Sequence, residues 1–206
     1  MQDCKIPTID QCYELLEKCY VPKHIIRHCE ITADFAASLA EKIAANGTSV
    51  NVDFVHRACL LHDILRSCDF NKPLDEIFDE PISPQDRENW QLLNEKYKGL
   101  CHEDAAYELL KNDWPEIALA IKKHAYRTLI DETLRPRTIE EKIVYYADKR
   151  VMHDKIVPLS ERLQEGHRRN LRPDCPKIVD TDYVDSLIFE LERQLLALTE
   201  PSEDEN

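Results

Sequence analysis

Residues 54–66 read FVHRACLLHDILR, and the fold class turns on them. Apolar side chains fall nearly all round the helical wheel here, the pattern of a helix buried on every side. A helix that begins near Val52 and runs through this stretch carries His62 and Asp63 next to each other in its most apolar part. An ionised carboxylate is strongly disfavoured there unless a cation or firm donors meet it. A metal ion would be such a cation.

Upstream, residues 9–20 place Ile9, Cys12, Tyr13, Leu16, Cys19 and Tyr20 on one stripe at three- and four-residue spacing. That spacing predicts an amphipathic helix ending before Pro22. Residues 22–47 set Ile25, His28, Cys29, Thr32, Phe35, Ala36, Leu39 and Ile43 on a shared face and close at Asn46-Gly47, a helix-stop signal. Downstream, residues 67–100 change character: Pro73, Pro81, Pro84 and many acids leave one helical stretch, 84–97, and the segment reads as an insertion or lid. Beyond Gly99 come three short helical patterns, at 102–113, at 115–127 with Pro115 in the first turn, and at 138–154 with Thr138 as cap. Residues 158–170 read as a charged helix, 171–178 as a proline-bearing loop and 180–198 as a capped C-terminal helix. The acidic stretch after Pro201 reads as a mobile tail.

The expectation is an all-α fold in one domain over 1–206, with its core at 22–155, a lid at 67–100, a C-terminal helical extension at 156–198 and an acidic tail at 199–206. Composition agrees. Only three of the 206 residues are glycine, which disfavours phosphate-cradling glycine loops and hairpin-rich β folds together. The net charge of −13 gives no general attraction for nucleic acid or an anionic membrane surface. The eight cysteines lie singly, without a C-x-x-C pair or a secretory signal, and read as free thiols of a cytoplasmic protein. No apolar run approaches the ~20 residues that span a bilayer.

Four histidines fall where a helix pattern points them inward: His28, His62, His102 in CHEDAAYELL and His124 in ALAIKKH. A lone histidine on an apolar face is usually a satisfied core residue, but four accompanied by two apolar-flanked carboxylates are another matter. The second carboxylate is Asp148, in KIVYYADKRV. A salt bridge to the adjacent Lys149 or Arg150 is the plainer account of it, yet neighbours in a helix do not face one another, so ligation is favoured. Imidazole and carboxylate without thiolate suit Fe, Mn, Co, Ni, Zn or Mg, with iron or manganese preferred.

The ordered set His28, His62-Asp63, His102, His124, Asp148 resembles the HD-domain superfamily of metal-dependent phosphohydrolases, over roughly residues 22–155. The two histidines between the doublet and the distal aspartate resemble its dinuclear branches, which include dinucleoside tetraphosphate hydrolases and cyclic-dinucleotide phosphodiesterases. The doublet continues here as Ile64-Leu65-Arg66, with leucine where the common pattern has glycine, and no GYP motif occurs. The cyclic-dinucleotide branch therefore fits less well. The resemblance implies an HD-type helical bundle. It also implies a divalent metal cofactor of two ions, one on His28, His62, Asp63 and Asp148, the other on His102 and His124 with Asp63 bridging. A metal-bound hydroxide is then the nucleophile on a phosphate ester or phosphoanhydride of a nucleotide or related small metabolite.

Arg66 is the first candidate for the substrate phosphate, followed by Lys123, Arg127, Lys149 and Arg150. Glu103 is a candidate general acid or base, and His24, four residues before His28, a cleft residue. The expected partner is a small phosphorylated molecule, with no nucleic acid and no membrane. Three alternatives stand beside this expectation: a catalytically silent, metal-dependent nucleotide-binding regulatory module, a mononuclear nucleotidase using His28, His62, Asp63 and Asp148, and a helical interaction protein with structurally paired histidines.

Overall fold

The computed structural model describes residues 5–70, 74–78, 81–170 and 180–201. In chain order these form α1 (Ile9–Lys18), α2 (Lys23–Ala45), α3 (Val52–Leu61), a 3-10 turn (Arg66–Asp69), α4 (Leu74–Ile77), α5 (Pro84–Lys96), α6 (His102–Leu110) and α7 (Pro115–Lys122). A second 3-10 turn (Tyr126–Ile130), α8 (Ile139–Asp148), an antiparallel hairpin of β1 (Val151–Met152) and β2 (Lys155–Ile156), α9 (Leu159–Asn170) and α10 (Thr181–Ala197) complete it. The fold is all-α, as expected. The loop 171–178, the acidic tail beyond Pro201, Cys4 and Cys175 lie outside the described residues.

Five of the helices begin where a polar side chain satisfies a first-turn N–H group. Thr8 and Thr138 close capping boxes on α1 and α8, while Asn51, Ser83 and Asp180 cap α3, α5 and α10. Gly47, just past α2, has φ +90°, a conformation open to glycine without strain.

Helices α2, α3 and α8 pack on one another, α7 packs on α3 and α8, and α6 packs on α7. Cys29, Ala33, Ala36 and Ala40 form a fully buried seam of small side chains along α2. That seam lets Val55, Ala58 and Cys59 of α3 approach closely. Tyr145 and Tyr146 are fully buried in α8, and their hydroxyls donate to the Tyr126 carbonyl and the Glu192 carboxylate, each at 2.7 Å. The inserted segment is tied down at two points. Phe78 stacks on Trp90 at 4.8 Å with His24 edge-on to it, and Trp90 Nε1 donates to the Tyr20 carbonyl at 2.8 Å.

Four expectations are corrected. The helix through 54–66 stops at Leu61, because the Cys59 carbonyl is taken by the His62 amide and ring rather than by a continuing helix. The pattern at 115–127 stops at Lys122, so His124 lies in the turn beyond α7. The pattern at 138–154 stops at Asp148 and gives way to the hairpin, whose His153 takes φ +56°. Of the stripe read over 9–20, Ile9, Tyr13 and Tyr20 are exposed, α1 ends at Lys18, and the buried part reduces to Cys12, Leu16 and Cys19.

Candidate metal centre

Each break in a helix serves the same place. His62-Asp63 at the end of α3, His124 after α7 and Asp148 at the end of α8 meet His28 of α2 and His102 at the start of α6. His28 Nε2 and His62 Nε2 lie 3.3 and 3.4 Å from Asp148 Oδ1. His62 Nε2 is 3.7 Å from Asp63 Oδ2. His102 Nε2 and His124 Nε2 stand 3.0 and 4.0 Å from Asp63 Oδ1. Two groups of ligand atoms, His28–His62–Asp63 and Asp63–His102–His124, each fall within 4.8 Å of one another and share Asp63.

The opposite edge of every ring is fixed. Nδ1 of His28 lies 3.0 Å from the His153 carbonyl, that of His62 2.7 Å from the Cys59 carbonyl, and that of His124 2.6 Å from the Ile121 carbonyl. A carbonyl oxygen only accepts, so these nitrogens carry the proton and leave Nε2 with its lone pair. His102 Nδ1 lies 2.8 Å from Asp69 Oδ2 and 2.8 Å from Arg66 NH1. The Asp69 carboxylate also only accepts, which puts a proton on that nitrogen. The guanidinium then donates to Asp69 Oδ1, at 3.2 Å. With Nδ1 committed to these acceptors, all four imidazoles turn Nε2 toward the two carboxylates, the edge that binds a cation once it is free of a proton.

Electrostatics fit the same cation. Burial pushes against charge on Asp63, but His62, His102 and Arg66 outweigh it and hold the carboxyl well below its usual range. Asp148 is held down in the same way by Lys149, His28 and His62. His124, buried and next to His62, is pushed down to about 4 and stays neutral. His62 Nε2 is one of three buried side-chain polar atoms without a hydrogen-bond partner among the described residues. An orphaned nitrogen aimed at two ionised carboxylates is a position for a cation, so the residues present suit a divalent metal.

The salt bridge discounted from helix geometry forms as well. Lys149 Nζ donates to Asp148 Oδ2 at 2.7 Å and to the His124 carbonyl at 2.8 Å. It can do so because α8 ends at Asp148 and Lys149 caps it, so the spacing rule for helix interiors does not apply. The two oxygens of Asp148 divide the work: Oδ2 meets lysine while Oδ1 faces imidazole.

Arg66 reaches the centre, and Glu103 Oε2 lies 3.3 Å from His102 Nδ1. Burial favours the neutral form of Glu103, but the charge on His102, helped by hydrogen bonds from its own amide and from Cys101, prevails and holds its pKa below the usual range. Three of the weaker phosphate candidates lie elsewhere. Lys123 Nζ is buried against Glu141 at 2.6 Å, Arg150 is held by Glu192 and the Tyr146 hydroxyl, and Arg127 is exposed beside Ile130 and Asp131. His24 is exposed. The sequence alone did not single out Asp69 or the His153 carbonyl. The signal for Asp69 was the unassigned acceptor that every ligating imidazole needs.

The HD domain model matches residues 25–152, and the chain belongs to the HD-domain family, a superfamily of metal-dependent phosphohydrolases. Among curated proteins it is similar to a tRNA (cytidine(56)-2'-O)-methyltransferase of Picrophilus torridus, at 25% identity over 173 residues. That match takes in 84% of this chain but 45% of the relative, so the chain spans less than half the length of the curated protein it matches. No solved structure matches. Among the described residues no helix is long and apolar enough to cross a membrane.

Proposed function

We propose that this protein hydrolyses a phosphate ester or phosphoanhydride of a nucleotide or related small metabolite at a centre for two divalent cations. His28, His62, Asp63 and Asp148 would hold one ion, and His102 and His124 the other, with Asp63 between them. The observation that carries this reading is the pair of ligand clusters joined at Asp63, every ring turned to offer Nε2. Divalent cations there supply Lewis-acid polarisation of the phosphoryl group and a water acidic enough to lose its proton near neutral pH, with iron or manganese preferred.

The chain's own residues do the rest. Asp63 and Asp148 supply the negative charge that keeps cations in a nearly buried site, and the carbonyls of Cys59, Ile121 and His153 hold the rings in register. Arg66, oriented by Asp69, offers its remaining N–H groups to a phosphoryl oxygen. Glu103, held as a carboxylate, accepts a proton rather than donating one. The domain reading is part of the proposal: one HD-type unit in which segment 67–100 walls the substrate cleft. The methyl transfer named for the Picrophilus protein is not carried over, because the match covers 45% of that protein and the centre offers ligands for cations.

The test is purified protein reconstituted with Mn or Fe, its bound metal counted, and assayed against nucleotides and simple phosphate esters. Metal-dependent release of phosphate that Asp63→Ala abolishes is the expected result. Turnover untouched by Asp63→Ala, or nucleotide binding without product, would refute the mechanism.

A further inference from the structure

The stretch that matches the HD domain ends at Met152, one residue before the carbonyl that holds the His28 ring. That carbonyl belongs to His153, 3.0 Å from His28 Nδ1, at the turn between β1 and β2. Each of these strands is two residues long, and a hairpin so short is marginally stable by itself. Its tip needs support from outside. Two arginines give it, each through a main-chain oxygen. Arg150 Nε donates to the Val157 carbonyl at 2.8 Å and closes the base of the hairpin. Arg162, from α9, donates through Nε to the Val151 carbonyl, also at 2.8 Å, on the strand that leads to His153.

Arg162 is built into its place. Its side chain is 13% exposed, and NH1 pairs with Glu165 at 3.1 Å. The planar fork of arginine suits this double hold, because its donors point in fixed directions at a carbonyl and a carboxylate together. A Cβ at residue 166 would stand 3.2 Å from the same NH1. Glycine is disfavoured inside a helix, and here it leaves room for the guanidinium. The contacts run from α9 to Val151, along β1 to His153 and on to the His28 ring, whose Nε2 lies 3.3 Å from Asp148 Oδ1. Both strands pack on α2, the helix that carries His28. A ligating imidazole takes its orientation from the acceptor behind it, and losing that acceptor weakens metal binding by roughly 10- to 100-fold.

We propose that Arg162 is a positioning residue of the metal centre, holding the hairpin so that the His153 carbonyl sets the His28 ring. This rests on the two-cation reading above and adds α9 to the parts on which the centre depends. The first experiment follows the ring itself, by NMR of the full-length, metal-free protein carrying isotope-labelled histidine. Arg162→Ala is expected to speed solvent exchange of the His28 Nδ1–H about tenfold. The Nδ1–H of His124, which meets the Ile121 carbonyl, should exchange as in wild type. Arg162→Lys, which keeps a donor for Val151, should recover part of the loss, and it carries both experiments if the alanine variant does not fold. The second experiment measures metal affinity by competition with a chelator. Arg162→Ala should weaken the ion on His28, His62, Asp63 and Asp148 about tenfold and leave the other ion unchanged. Added to His28→Ala, it should change nothing further. Unchanged exchange at His28, an unprotected His28 signal in wild type, or equal effects on both rings or both ions overturns the proposal. If wild type binds no metal while the His28 signal responds as expected, the two-cation reading falls and the hold on the ring stands.

Discussion

The His28–His62–Asp148 half of the centre is steadied by backbone carbonyls and one lysine, whereas the His102–His124–Asp63 half is surrounded by further charge. In the first half, His153 and Cys59 hold the rings through main-chain oxygens, and Lys149 neutralises one oxygen of Asp148. In the second, Asp69 holds His102 through a carboxylate, Glu103 lies beside it and Arg66 joins the group. The lesson is that one half is fixed by chain geometry, while the other is balanced by charge and responds to protons and ions. Burial disfavours a proton on His102, yet Asp63, Asp69 and Glu103 override it and raise its pKa to about 9. A proton keeps the place that a cation takes.

Asp63→Ala, which removes the residue common to both halves, should have the largest effect. Metal analysis should show both ions lost, and hydrolysis should fall by on the order of a thousandfold. Retention of both ions would remove the shared role. His28→Ala and His124→Ala should then separate the halves. Each variant should keep one ion per chain, and loss of both from either would show that the halves load as a unit.

The charge-balanced half predicts a pH dependence. Histidine titrates near 6.5 when unfolded, and His102 is held at about 9 when folded. Its protonation therefore contributes stability that is fully present below about pH 6.5 and is lost as pH rises through about 9. Thermal unfolding of metal-free protein should show Tm falling across that window, while metal-loaded protein, with a cation in place of the proton, should lack that slope. Parallel curves would argue against the exchange.

Asp69→Asn keeps the shape of the His102 support and removes its charge. Metal affinity of that half should drop by roughly 10- to 100-fold, read by competition with a chelator, with the first half unchanged. The smallest effect is expected from His153→Gly, because only the carbonyl of His153 is used and its φ of +56° suits glycine. Stability should shift by less than about 1 kcal/mol, with metal content intact. A larger loss on chemical denaturation would assign the imidazole a part of its own.

Most helices were legible because their signals are local. Apolar spacing marked α2 and α10, and Thr138 and Asp180 marked starts that the structure uses. Helix ends were less legible. The pattern through 54–66 is apolar past Leu61, so periodicity continues where the hydrogen bonds do not. Lys149 was misjudged for the same reason, since a spacing rule for helix interiors was applied to a residue that proved to be a cap. Arg66 was legible beside its doublet, but Asp69 was not, because its contact with His102 joins residues 33 apart in the chain.

The amino-acid order alone determined the all-helical class and which imidazoles and carboxylates sit among apolar neighbours. Both follow from short-range periodicity and from the free energy of burying charge. Only the tertiary structure decided which atom of each ring faces inward and where Asp69 and His153 belong. Those outcomes depend on contacts between residues far apart in the chain, and no local pattern encodes them.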